Sequence, residues 1–149
     1  MLKARLESDL RSAMKARDEL VTSTLRMAIT AVRNAEVAGD TARELSDDEV
    51  LAVLTKEAKK RREAAAAFGD AGRVELAAKE RAEEEVLAGY LPAQLSDEEL
   101  ADLVGQALAG AGISGKSSMG PAMKAAQAAV AGRAEGGRVA AEVRRQLAT

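Results

Sequence analysis

The side chains able to do chemistry fall in four places along the 149-residue chain. Asp47-Asp48-Glu49 and Glu83-Glu84-Glu85 are acidic clusters, the residue types that carry acid/base work or hold magnesium. Consecutive positions on a helix point about 100° apart, so three in a row do not converge on one ion. The first cluster reads better as a helix cap and the second as a solvated face. Lys56, Lys59, Lys60, Arg61 and Arg62 form the densest basic run. With Lys56, Lys59, Lys60 and Arg62 as its contacts it reads as a phosphate-binding ridge. The competing reading is a solvated helix face paired at i,i+3 and i,i+4 with Glu57 and Glu63. Gly110 to Ser117 satisfies the letter of the phosphate-loop pattern. That mechanism needs a buried strand in front of the loop, and here a helix precedes it, so no nucleotide site is expected. The fourth place is the tail: from Gly112 onward Lys116, Lys124, Arg133, Arg138, Arg144 and Arg145 face only Glu135 and Glu142. Such a basic end suits a polyanion; Arg144 and Arg145 also suit the C-terminal end of a helix dipole.

There is no histidine and no cysteine. The commonest general base is therefore missing, as are thiol nucleophiles, thiolate metal sites and disulfides. No cofactor or metal is expected. With 22 Lys and Arg against 24 Asp and Glu, the molecule as a whole has no field to draw it onto nucleic acid or membrane. No run approaches the roughly 20 apolar residues of a membrane span, and Met1 to Arg5 leads into an amphipathic helix. The sequence reads as that of a soluble, cytoplasmic protein.

The elements that must position these residues are helices almost throughout. Leu2, Leu6, Leu10, Ala13 and Met14 line one face of a first helix ending near Arg17, and Asp18 starts the second. Leu20, Val21, Thr24, Leu25, Ala28, Ile29, Val32 and Ala35 give that helix a broad stripe up to Gly39. Ser46 to Glu49 is a capping box flanked by Leu45 and Val50, the positions of a hydrophobic staple; it opens a third helix that runs to Gly69. A fourth covers about 71–89, with Val74, Ala77, Ala78, Val86, Leu87 and Leu91 as buried candidates, and Pro92 ends it. Residues 95–100 repeat the wording of 45–50, as two convergent caps would. Helix five carries Leu100, Leu103, Val104, Ala107 and Leu108; helix six starts near Ser118; helix seven starts near Gly137 and buries Val139, Val143 and Leu147. Gly132 suits a helix C-cap, and Gly136-Gly137 a tight turn into the last helix. The fold class is all-α: a four-helix bundle-like or helical-hairpin region, residues 1–92, followed by a small three-helix tail, residues 93–149.

Particular residues carry a family resemblance. They are Leu25-Arg26-Met27, Leu54, Lys56-Glu57 and Lys59-Lys60-Arg61 in the first half, then Tyr90-Leu91-Pro92-Ala-Gln94-Leu95-Ser96, Met119-Gly120…Met123, and Gly132-x-Ala134-x-Gly136…Val139…Val143…Leu147. On these the chain resembles the YqeY-like, or GatB/YqeY-domain, proteins over nearly its whole length. It departs at Glu135, where the family pattern has Asp. The tail is also similar to the C-terminal, tRNA-contacting appendage of the GatB component of the aspartyl/glutamyl-tRNA amidotransferase. The resemblance implies an all-helical protein, a link to tRNA, and an association with glutamine-dependent carbon–nitrogen ligase activity. The residue chemistry argues against catalysis by this chain alone. The expected function is non-catalytic binding of tRNA or another structured RNA through the six tail cations, with few aromatics to stack on bases. The alternative is a helical adaptor for a protein partner, one connected with translation. Neither DNA nor membrane is expected as a partner.

Overall fold

The computed structural model describes residues 1–115 and 118–148. Those residues form seven helices and no strand. They are α1 (Leu2–Ala16), α2 (Glu19–Glu36), α3 (Asp47–Asp70), α4 (Val74–Ala88), α5 (Asp97–Gly110), α6 (Met119–Val130) and α7 (Gly136–Leu147). The all-α expectation holds. The chain divides into two compact units, Met1–Leu91 and Pro92–Thr149.

In the first unit α1 packs on α2 and α3 on α4, giving two helical hairpins that share one core. Leu6 of α1, Leu25, Ile29 and Val32 of α2, Val50 and Leu54 of α3, and Leu87 of α4 meet there. The α1–α2 turn is closed by Arg17 in the left-handed region at φ 57°, a geometry that costs a residue with a Cβ some strain. Asp18 then caps α2, accepting from the Val21 N–H at 3.1 Å. Both halves of the capping box at Ser46 are present: the Glu49 N–H donates to Ser46 Oγ at 3.2 Å and the Ser46 N–H to Glu49 Oε1 at 3.1 Å. Leu45 and Val50 both join the core, as a staple requires.

Several expectations are corrected. α2 ends at Glu36, three residues before Gly39. Gly69 does not stop α3, which runs to Asp70; Gly72, at φ +76°, supplies the left-handed residue instead. The Arg73 N–H reaches Phe68 C=O and the Gly72 N–H reaches Gly69 C=O, the paired bonds of a Schellman ending. Val74 and Ala78 face solvent, Val74 at 72% exposure, because α4 buries the Ala77–Leu87 side. Met14 is likewise exposed. Glu83 is not on a solvated face: it is buried beside Arg61.

The second unit packs α5, α6 and α7 around Leu100, Val104, Leu108, Ala122, Ala126, Val130, Val139, Val143 and Leu147. Ser96 caps α5 through the Glu99 N–H at 3.1 Å, and Leu95 and Leu100 repeat the staple. α5 and α7 approach closely at Gly105, where an added Cβ would stand 3.3 Å from Gln146 Oε1. Gln146 in turn donates to the Ala101 carbonyl at 2.8 Å. The α6–α7 turn is made by Ala131 and Gly132, both at positive φ. Gly136 and Gly137 are the first residues of α7 rather than the tight turn expected of them.

Candidate functional site

Of the tail cations, Lys124 lies on α6, Arg133 in the α6–α7 turn, and Arg138, Arg144 and Arg145 on α7. Lys116 lies outside the described residues, as does Ser117 of the phosphate-loop look-alike.

The five described cations divide by what they touch. Arg138 is a structural clamp. Its guanidinium donates to the Leu95 carbonyl at 2.9 Å and to Asp97 Oδ1 at 2.8 Å. The Leu95 N–H donates to the Arg133 carbonyl at 2.7 Å, so the two backbone groups of Leu95 tie the entry of α5 to the α6–α7 turn and to α7. Arg145 is engaged with Glu142 through Nε and Nη2, at 3.0 and 2.5 Å. This bond holds the Glu142 carboxyl below its ordinary range and raises the Arg145 guanidinium. Lys124, Arg133 and Arg144 are exposed, and their side chains make no ion pair among the described residues. They are the cations left open to an outside anion.

Four of the six acidic side chains of this unit sit elsewhere. Asp97, Glu98, Glu99 and Asp102 occupy the start of α5, where backbone N–H groups favour them. Arg138, near the start of α7, touches that end. Arg144 lies six residues further along α7, about 9 Å at 1.5 Å per residue.

The second basic patch is largely satisfied internally. Lys59 stands 4.0 Å from Glu63, Lys60 3.3 Å from Glu57, and Arg62 2.9 Å from Glu84. Lys56 alone of the four makes no ion pair among the described residues. Arg61 is nearly buried and sits between Glu57 at 3.7 Å and Glu83 at 3.5 Å. Sequence reasoning missed this pairing of Arg61 with Glu83. Its signal was Glu83 standing one turn before Leu87, on the inward phase of α4.

Glu135 is the N-cap of α7 with extended backbone, and its side chain makes no capping hydrogen bond. The extra methylene of Glu over Asp carries the carboxylate past the N–H groups that a cap must meet.

The family model described as Yqey-like protein matches residues 3–147. The chain belongs to that family. It is also 34% identical over 97 residues to the uncharacterized protein C22F3.15 of Schizosaccharomyces pombe, a match covering 64% of this chain and 76% of the yeast protein. No helix among the described residues is long and apolar enough to cross a membrane.

Proposed function

We propose that this chain is a non-catalytic RNA-binding helical protein whose tail unit grips the backbone of tRNA or a similarly structured RNA. The observation that supports it best is the set Lys124, Arg133 and Arg144: exposed cations with no acidic partner among the described residues. Arg138 and Arg145 are secondary, because each must leave a carboxylate to reach a phosphate. With one Phe and one Tyr in the chain, recognition is of shape and phosphate rather than base. The likeness of the tail to the appendage of the amidotransferase GatB component favours tRNA over other RNAs. An association with glutamine-dependent ligase chemistry would then come through a partner enzyme, and the cytoplasm is the fitting compartment.

Mobility-shift titration with tRNA over a salt series tests the reading. Three phosphate contacts predict a slope of log K against log salt of about −2 to −3. A salt-independent signal, or none, overturns it.

A further inference from the structure

A trough of about 560 Å³ runs between α2 and α3 in the first unit, and nothing in the reading of the tail uses it. On the α2 side Met27, Ala31 and Ala35, spaced i, i+4, i+8, line it with the polar Thr30 and Asn34 beside them; on the α3 side stand Val53, Lys56 and Lys60. Residues at such spacing line one side of a helix, so the trough follows both helices for about 12 Å, two turns and more. The Ala31–Ala35 stripe is apolar and low, because these side chains project no further than Cβ. Met27 at its mouth is 38% exposed, and methionine adapts its shape to whatever covers it.

The α3 wall keeps one cation more than the carboxylates paired with it. Lys56 makes no ion pair among the described residues. Lys60, with a side chain 71% exposed, shares Glu57 with Arg61, and Arg61 also pairs with Glu83. Three cations therefore face two carboxylates. The pairs are ionic rather than hydrogen-bonded: Glu57 Oε2 and Arg61 Nε are buried and make no hydrogen bond among the described residues. The Lys60 ammonium, mostly exposed, can meet an incoming carboxylate while it stays beside Glu57.

We propose that this trough is the docking site for an acidic amphipathic helix of a protein partner. Two helices presenting parallel stripes over a low alanine floor leave the place of a third, and ridges of a docked helix fill such a groove. The apolar face of that helix meets Met27, Ala31, Ala35 and Val53. Glutamate or aspartate along one edge meets Lys56 and Lys60. The charge pattern sets which helices are accepted, since a basic edge in the same place is repelled.

The test uses the full chain, isotopically labelled for amide NMR, and a lactam-stapled helical peptide of about 14 residues, or roughly 21 Å, with leucine and alanine on one face and glutamate along the edges. A matched peptide carries lysine in place of glutamate. The acidic peptide is expected to shift the amides of 27–35 and 53–61, and K56E/K60E to weaken it by at least about tenfold while admitting the basic peptide. Lys56→Ala, which breaks no contact in the fold, serves as a second variant and is expected to weaken the acidic peptide alone. Ala31→Trp, which fills the floor, is expected to abolish binding of both. Thermal melts of each variant confirm that it is folded. The proposal is overturned by absence of shifts at millimolar acidic peptide, by shifts mapping elsewhere, or by equal affinity of the Lys56 variants. It is overturned equally if the same amides respond to protein concentration alone, which would make the occupant a second copy, or to tRNA.

Discussion

The hydroxyl of Tyr90 donates to Asp9 Oδ2 at 2.5 Å while the Arg5 guanidinium lies 4.6 Å over its ring. This residue ties the last turn of the first unit back onto α1. Burial first, and the Asp9 hydrogen bond second, push its phenol well above the ordinary value of 10.0. A raised folded-state pKa means stability that is whole below the unfolded value and lost as pH rises beyond it. Because it is the single tyrosine and there is no tryptophan, phenolate absorbance reports this site alone. We expect no phenolate in the native protein at pH about 10, the ordinary tyrosine value, and its appearance only together with loss of helical circular dichroism. Tyr90→Phe is expected to cost about 1.5 kcal/mol in denaturant unfolding. Arg61 and Glu83 supply a second residue-scale case. Glu83→Ala leaves a nearly buried guanidinium with Glu57 alone and is expected to cost about 3 kcal/mol, whereas replacing Glu57, Arg61 and Glu83 together by apolar residues of matched volume is expected to be near neutral. Unfolding of the single and triple variants side by side checks the contrast. At this scale little was legible beforehand: tertiary partners such as Asp9 for Tyr90, or Glu83 for Arg61, stand 81 and 22 residues away along the chain.

At the scale of elements, local chemistry fixes where helices begin more firmly than where they end. Asp18, Ser46 and Ser96 each cap the helix their sequence announced. A cap needs only a side-chain oxygen within three residues, so it is visible in one line of sequence. Ends depend on which glycine takes the left-handed turn. Gly69 and Gly72 are both candidates, and the backbone chooses Gly72. α4 shows the other limit: charged and small residues surround it, so no stripe announced that Val74 would face out. Ser46→Ala loses the Oγ half of its box and keeps the backbone half, so it and Ser96→Ala are each expected to cost about 1 kcal/mol by thermal melts. The partner of that box also sets a pH response. Arg43, and then the Ser46 N–H, hold the Glu49 carboxyl down to about 2. The Lys3 ammonium lowers Glu36, and Arg145 lowers Glu142. Depressed carboxylates give stability present above their unfolded value and lost as pH falls through the folded one. Melting temperature is therefore expected to be flat near neutrality and to fall below the ordinary value of 4.5, with Glu49→Gln flattening the part between 4.5 and about 2.

For the whole molecule, charge placement matters more than charge total. The tail unit carries six basic and six acidic side chains, and its net charge says nothing of a polyanion site. Four of its acids gather at the start of α5, and two of its arginines are spent on carboxylates, which leaves Lys124, Arg133 and Arg144 among the described residues. The sequence shows a stretch of cations and could not sort them, because Arg138 and Asp97 meet only through the fold. The measurement that bears most directly on the proposed function is tRNA affinity across a salt series for the intact chain and for a variant with Lys124, Arg133 and Arg144 all reversed to glutamate. The account predicts salt-dependent binding in the intact chain, with a slope reduced by about 2 to 3 and affinity lowered at least about tenfold in the variant, at unchanged helical content. Equal affinity and equal slope in the two proteins would contradict it.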